Sequence, residues 1–363
     1  MKVCIIGDGL VSLTLANILI KKGLVVDIIK SKKKNKYDKT RTIGITRANI
    51  DYFNNEIINI EKIIWKINKI KIFTEKNSAD EILEFDDKNQ QIFSIVRNYD
   101  LQKLLINKLK KNNLIKFKTH NNYKDILKQK YKLIINNNPN HQISNFFFFN
   151  KIEKNYYSHA FTTVINHKKL FENKTAFQNF TKDGPIAFLP VSETQTSVVC
   201  SLRDRHKQKK FDIKNLIKKY NPIYSITKIN ECSSFELKSS NLRKYYKDNI
   251  LAFGDLLHKI HPLAGQGFNM SLRDIKLLSN LIDEKISLGL DIDNTICEEF
   301  QKNSRDKNYL FSTSIDLIYE LFNFESKIKS DFLSKTINLI GKNNKINSLF
   351  KSFANKGLEF KNY

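Results

Sequence analysis

Gly7-x-Gly9-x-x-Ser12 follows a short apolar run, Lys2 to Ile6, and opens a helical pattern from Leu10 to Lys22. In that setting backbone N–H groups gather at the positive end of a helix, where a pyrophosphate can be received. Gly7 permits the tight turn and Gly9 lets the backbone come close to phosphates. The third glycine of such a fingerprint is replaced by Ser12, which is small but carries a Cβ; Ala16, further along, also allows close packing. The bland alternative for the same residues is a glycine turn in another α/β fold.

A second stretch is more specific: Gly254-Asp255-Leu256-Leu257-His258-Lys259-Ile260-His261-Pro262-Leu263-Ala264-Gly265-Gln266-Gly267-Phe268-Asn269. An apolar strand delivers an acid, a rigid proline and two glycines follow, and a helix begins. Asp255 can accept hydrogen bonds from a sugar-alcohol chain. Gly265 and Gly267 let backbone N–H groups approach a planar, electron-poor ring, and the helix end would stabilise negative charge on a reduced flavin. His258 and His261, three apart, invite a metal reading, but Pro262 follows directly and no third ligand lies near in sequence, so no metal is expected.

The elements that must position these residues read as strand, turn, helix and strand at the N-terminus, with Gly23 closing the helix and Leu24 to Ile29 as the second strand. Asp100 to Lys110 has helical spacing with Leu101, Leu104, Leu105 and Leu109 on one face, and Lys132 to Ile135 reads as a strand. From Tyr156 to Leu202 the pattern turns to β-runs, Ala160 to Ile165, Ile186 to Pro190 and Ser197 to Cys200, joined by polar turns. Ile250 to Phe253 is a strand, Asn269 to Ile282 a helix, and the chain after about residue 295 is helical. Nucleotide-binding signals thus sit at both ends of the first 280 residues, with a sheet inserted between them. The expected fold is α/β: a Rossmann-like, discontinuous nucleotide-binding domain, 1–60 with 95–150 and 240–285, an inserted, mostly antiparallel β-sheet domain, 61–94 with 151–239, and a helical C-terminal region, 286–363.

The 363 residues carry 62 Lys plus Arg against 37 Asp plus Glu, a formal net charge of +25. Such a charge suits nucleic acid or an anionic membrane surface. Only eight of the basic residues are Arg, however, and the 42 Asn and the many Ile rise together with Lys, as a biased nucleotide composition would produce. No Arg-rich groove or zinc-finger spacing occurs, so nucleic acid is not expected as a partner. With 41% hydrophobic residues a wholly disordered chain is excluded. Cys4, Cys200, Cys232 and Cys297 form no Cys-x-x-Cys pair, which points to reduced thiols in a cytoplasm. Gly7-Asp8-Gly9 breaks the apolar N-terminal stretch, and the protein is expected neither to be secreted nor to span a membrane.

Residues 249–274 resemble the second flavin motif of the class A flavin monooxygenases, the para-hydroxybenzoate hydroxylase-like fold. More narrowly they resemble the ubiquinone-biosynthesis hydroxylases of the UbiH/UbiF type, with Leu256, Leu257 and Ser271 departing at small positions. Thr40 to Thr46 with Trp65 following, Val96-Arg97-Asn98-Tyr99-Asp100-Leu101, and Gly184-Pro185-Ile186-Ala187-Phe188-Leu189-Pro190 resemble further segments of that subgroup, in order over residues 1–285. The resemblance implies that Gly7, Gly9 and Ser12 hold the FAD pyrophosphate and that Arg41 contacts the cofactor near its ribityl-phosphate side. It implies that Asp255 binds the ribityl chain, and that Pro262, Gly265, Gln266, Gly267, Phe268 and Asn269 line the isoalloxazine. The strand from Gly184 to Pro190 would roof an aromatic substrate. The implied activity is hydroxylation of the ring of a polyprenylated phenol in ubiquinone biosynthesis, with NAD(P)H as reductant and O2 captured as a flavin C4a-hydroperoxide. The cofactor carries that chemistry, so no catalytic residue is assigned; Pro262 and His261 are given shaping roles.

Three departures matter. Lys30 stands where an acid usually holds the adenosine ribose, Asp27 comes three residues too early, and Asn136-Asn137-Asn138-Pro139 replaces a middle Ala-Asp-Gly motif tied to FAD and NAD(P)H use. A competing reading is therefore a degenerate flavin-binding subunit of a quinone-biosynthesis assembly. A flavin-dependent halogenase is disfavoured, because Trp65 is the only tryptophan. The C-terminal residues Ile315, Leu317, Ile318, Leu321 and Phe322, then Phe332, Ile337, Leu339 and Ile340, alternate with lysines. That pattern suits peripheral contact with the inner face of a membrane, and equally helices packed on the FAD domain.

Overall fold

The computed structural model describes residues 1–31, 39–74, 83–86, 91–119, 122–203, 212–261 and 265–328. Its first half runs β1 Lys2–Ile6, α1 Leu10–Lys21, β2 Val25–Ile29, β3 Thr42–Thr46 and α2 Arg47–Tyr52, the last extended by a π turn, Phe53–Ile57. Next come β4 Ile64–Ile67, β5 Lys69–Thr74, β6 Leu83–Asp86, β7 Phe93–Arg97, α3 Asn98–Leu109, β8 Ile115–Lys118, α4 Tyr123–Leu127, β9 Leu133–Asn136 and α5 Gln142–Phe147. The second half begins with β10 Lys151–His167, β11 Thr175–Thr181, β12 Gly184–Pro190, β13 Gln195–Arg203, α6 Ile213–Lys219, β14 Ile226–Ile229 and β15 Ser233–Leu242. It ends with β16 Tyr246–Lys247, β17 Ile250–Ala252, a 3-10 turn Gly254–Leu256, β18 His258–Lys259, α7 Gln266–Ser287 and α8 Asn294–Ile328.

These strands form three sheets. A six-stranded sheet has the order β16-β17-β9-β1-β2-β8 and is parallel from β17 to β8. Its central strands are buried on both faces, which is why Val3 to Ile6 and Leu133 to Ile135 read as unbroken apolar runs. The chain leaves β1 through α1 towards β2, whereas β9 lies on the other side of β1. The Gly7 turn therefore sits at a switch point on the carboxyl edge of the sheet, where open α/β sheets bind ligands. α1 is buried along Ser12 to Ile20, as expected of a helix apolar on all sides.

The second sheet has the order β18-β15-β10-β13-β12-β11-β5-β6, with β14 added on β10. Its pairings are antiparallel except β11 with β5. A three-stranded sheet, β3-β7-β4, stands between the two larger ones. Thr42 Oγ1 donates to Ser197 Oγ at 2.9 Å and Arg97 bonds Gln195, so β3 and β7 are fastened to β13. The α/β architecture with an inserted antiparallel sheet and a helical C-terminal region is thus present. Two expected limits shift: the helix expected from Asn269 starts at Gln266, and a single helix spans Asn294–Ile328. Phe332, Ile337, Leu339 and Ile340 lie outside the described residues.

One charged group is sealed within the parallel sheet. Asp27 is fully buried, and its Oδ2 receives Lys2 Nζ at 2.9 Å, Lys118 Nζ at 2.7 Å and the Tyr131 hydroxyl at 2.6 Å. Burial alone would raise its pKa, but hydrogen bonds from Lys118, Tyr131 and Lys2 outweigh that and hold it below the usual value. A depressed carboxyl pKa gives stability that is present above the unfolded-state pKa and is lost as pH falls through the folded-state value. Asp27→Asn should therefore cost about 2 kcal/mol in urea unfolding at pH 7. The gap from wild type should close as pH drops below about 3.9, the ordinary aspartate value. A gap that stays constant with pH would contradict this account.

Candidate active site

Two helices of the site begin without side-chain caps. α1 starts at Gly9 and α7 at Gly265; neither cap residue makes a side-chain capping bond, and neither first turn holds an acid. The orphan N–H groups and positive dipole ends are thus left for an external anion or electron-rich atom. A Cβ placed on Gly9 would meet nothing within 4 Å, so the backbone there faces open space.

The Gly254 turn is packed against the start of α1. Gly254 has φ +57, and a Cβ there would lie 2.8 Å from Asn137 Oδ1 and 3.3 Å from a Val11 methyl. Glycine is needed at this position for both its conformation and its space. Asp255, next in the chain, is exposed on this turn. Ser12 is buried in α1, and its Oγ lies 3.5 Å from where a Gly7 Cβ would be. Ser12 Oγ, both amide atoms of Asn137 and Asn98 Oδ1 are buried and have no hydrogen-bond partner among the described residues. Buried polar atoms are nearly always paired, so this group of orphans fits a region that receives a polar ligand.

The other end is built from α7 and β3. Asn269 is 8% exposed; its Nδ2 donates to Gly44 O at 2.9 Å, and its Oδ1 accepts from Thr46 N at 3.2 Å and from Asn49 Nδ2 at 2.9 Å. The side chain acts as a piece of strand added to the edge of β3. Gly265 has φ +63, and a Cβ there would stand 3.2 Å from Gly44 N, so α7 begins in near contact with the β3 backbone. Gln266 and Phe268 are buried in the first turn of α7, and Gly267 is half-buried. Pro262 lies outside the described residues.

α3 links the two ends. Asn98 N donates to Arg41 O at 3.1 Å, and Gln102 Nε2 donates to Asp8 O at 3.3 Å. Arg41 itself is exposed, with its guanidinium 4.6 Å from the centre of the Phe235 ring. Gly7, Gly9, Ser12 and Asp255 thus gather at one end, and Arg41 with Gly265 to Asn269 at the other. Lys30 is exposed with its ammonium 5.1 Å from the Phe117 ring centre, and Asp27 points into the sheet, away from the turn.

Sequence reasoning passed over Gly44, Asn98, Gly254 and Asn137 as members of the site. Asn137 stands in the sequence reading only as part of the segment that replaces the Ala-Asp-Gly motif, and Gly44 lies in a quoted segment without an assigned role. It also passed over a buried polar network. His258 Nε2 meets Asp274 Oδ2 at 2.5 Å, Asn308 Nδ2 donates to Asp274 Oδ1 at 3.1 Å, and Arg273 donates to Asn308 Oδ1 at 2.7 Å. This chain fixes the strand–helix junction against α7 and α8.

With this geometry in hand, the comparisons with known proteins are direct. Residues 149–287 match the FAD binding domain family. Ubiquinone biosynthesis monooxygenase COQ6, mitochondrial, of Caenorhabditis elegans is 25% identical over 212 residues, covering 46% of this chain and 47% of that protein. The 3-demethoxyubiquinol 3-hydroxylase of Escherichia coli K12 is 28% identical over 156 residues, 41% of this chain and 40% of that protein. The chain thus spans about half the length, or less, of these curated relatives. Among solved structures, p-nitrophenol 4-monooxygenase PnpA from Pseudomonas putida DLL-E4 superposes with a TM-score of 0.77 at 11% identity, over 98% of each chain. HpxO of Klebsiella pneumoniae, complexed with FAD and uric acid, gives 0.76 at 12% identity, over 98% of this chain and 97% of that one. The fold is that of the FAD-dependent monooxygenases, and the sequence is similar to the ubiquinone-biosynthesis hydroxylases.

His261 stands just before the proline of this loop. Its ring stacks on Tyr319 at 4.2 Å between centroids and meets Tyr156 edge-on at 4.9 Å. Both ring nitrogens are buried and unpartnered among the described residues. Burial, with Lys154 adding repulsion, pushes its pKa down to about 3, so the ring is neutral at neutral pH. The unfolded chain binds a proton near pH 6.5 that the folded one refuses. This group should therefore cost stability as pH falls below about 6.5, at about 1.4 kcal/mol per pH unit. Denaturant unfolding of wild type and His261→Phe between pH 7.5 and pH 5 checks this: the variant should lose about 2 kcal/mol less on acidification. Parallel pH profiles would show that His261 is not the acid-sensitive group.

Proposed function

We propose that this chain is an FAD-dependent monooxygenase that hydroxylates the aromatic ring of a polyprenylated phenol in ubiquinone biosynthesis. The observation that carries the reading is the uncapped start of α7 at Gly265, held against β3 by Asn269, together with the uncapped start of α1 at Gly9. Bound FAD would supply two-electron redox chemistry and activation of O2. The net reaction joins a ring C–H, O2, NAD(P)H and a proton to give a ring C–OH, water and NAD(P)+.

In this reading Gly7, Gly9 and Ser12 receive the pyrophosphate at α1, and Arg41 neutralises charge near the ribityl-phosphate. Asp255 accepts from the ribityl hydroxyls. Gly265, Gln266, Gly267 and Phe268 place N–H groups and an apolar face along the ring system, and Asn269 positions that helix end rather than touching the ring. Pro262 and neutral His261 shape the adjoining wall. β12 roofs the substrate, with Leu189 and Val191 packing beside Trp65 and Phe93. The FAD-binding unit comprises 1–60, 95–150 and 240–285, the substrate unit 61–94 and 151–239, and the helical region 286–363. The enzyme works in the cytoplasm at the inner face of the membrane, where a prenyl chain resides. Among the described residues no helix is long and apolar enough to cross a membrane.

A second reading, a flavin-binding subunit without its own NAD(P)H oxidation, is favoured by one feature. Asn136-Asn137-Asn138-Pro139 stands where the related motif carries an acid and a glycine, and the orphaned Asn137 amide fills the space beside Gly254. Anaerobic addition of NADH or NADPH to the FAD-loaded protein with a prenylphenol present separates the two. Bleaching of the flavin near 450 nm, then product heavier by one oxygen on admitting air, is expected (about 450 nm being the usual oxidised-flavin band). Flavin that stays oxidised with both nucleotides would contradict the enzyme reading in favour of the subunit.

A further inference from the structure

Four consecutive phenylalanines, Phe146 to Phe149, cover the last two residues of the short helix α5 and the two that follow it. Phe148 is buried and Phe147 partly so, but Phe146 is 55% and Phe149 71% exposed. The Phe146 ring lies 5.0 Å from that of Tyr123 on α4, and Leu127, one turn further along the same helix face, is also exposed. Ile152, the next exposed apolar side chain in sequence, lies at the start of β10. Isolated exposed apolar residues need no explanation, but an exposed aromatic pair on one short run, with Tyr123 and Leu127 beside Phe146, marks an interaction surface.

The patch is rigidly mounted. Asn136 Nδ2 donates to Ser144 Oγ at 2.8 Å, and Ser144 Oγ donates to Asn138 O at 2.7 Å, so α5 is tied to the end of β9. Its rim is basic. Lys124, Lys128 and Lys130 are exposed along and after α4. On the other side, Arg243 N donates to Asn150 O at 3.0 Å, placing exposed Arg243 and Lys244 beside the Phe149 loop, and Lys151 follows it. Against these stand Asp125 and Glu153, the latter paired with Lys151 at 2.8 Å. Exposed aromatic rings inside a ring of cations match the boundary of an anionic bilayer, where rings enter the headgroup layer and lysines meet lipid phosphates.

We propose that the Phe146–Phe149 tip and its basic rim form a docking surface for an anionic lipid bilayer. The surface is independent of α8; it deepens the membrane location proposed above by assigning the residues that meet the lipid, and its test does not depend on the hydroxylase activity. Flotation of the full chain with vesicles tests it and requires neither flavin nor turnover. Wild type should float with phosphatidylglycerol–phosphatidylcholine vesicles, at least tenfold more weakly with phosphatidylcholine alone, and less as salt is raised. Phe146→Ser with Phe149→Ser should weaken binding to the anionic vesicles at least tenfold while the melting temperature holds. Should that double variant fail to fold, Phe149→Trp serves instead: its added emission should shift blue and be quenched by brominated lipid. Wild type that stays with the soluble fraction, a double variant that floats like wild type, or Trp emission indifferent to vesicles would each overturn the proposal. Loss of self-association in the double variant, without vesicle binding by wild type, would assign the patch to a second copy instead.

Discussion

The site depends on one amide. Asn269 on α7 reaches back 225 residues in sequence to Gly44 on β3, and its two amide atoms pair with a carbonyl and an N–H that the strand would otherwise leave unsatisfied. A net hydrogen bond of this kind contributes about 1 kcal/mol, but leaving either buried backbone group unpaired costs about 1–3 kcal/mol. The strand and the helix end therefore hold one relative position. Because β3 is also fastened to β13 through Thr42 and Ser197, the amide joins the helix start to the antiparallel sheet. Everything attributed to a flavin ring needs that junction, since backbone N–H groups are useful only when aimed.

Burial of polar groups divides into two kinds in this molecule. Some are held by charged or polar partners and fix the scaffold: Asp27 through its Oδ2 under Lys2, Lys118 and Tyr131, and His258 with Asp274, Asn308 and Arg273. Others are orphaned, and those on Ser12 and Asn137 lie beside the turn at the end of β1. In a low-dielectric interior a half-satisfied polar group is costly, so the paired set rigidifies and the orphaned set marks where a ligand is expected.

The parallel sheet and its turn were legible because their signals are local: an apolar run, Gly-x-Gly, an apolar helix and a second run. The antiparallel runs around Ala160 to Cys200 were legible for the same reason. The small sheet of β3, β7 and β4 was not, since β7 comes more than forty residues after β3 and more than twenty after β4, and the strands pair only through tertiary contact. Gly265 could be placed at a helix start from its neighbours, but its approach to Gly44 belongs to the fold alone. The resemblance has Asn269 lining a ring; that its amide also grips a strand is a role no local pattern could reveal. Asn137 was hidden by composition, because one Asn among three gives no sign of which is buried. The departures at Lys30 and Asp27 were legible, and the packing supplies the reason: the buried acid of β2 belongs to the sheet.

The central claim is that the Asn269 junction makes this chain bind FAD. The direct test is titration of apoprotein with FAD by quenching of flavin fluorescence, comparing wild type, Asn269→Ala and Gly9→Val. Wild type should bind one FAD per chain; both variants, folded by circular dichroism, should bind at least tenfold more weakly, about 1.4 kcal/mol or more. Wild type that leaves flavin fluorescence unchanged, or variants that bind as wild type does, would contradict the account.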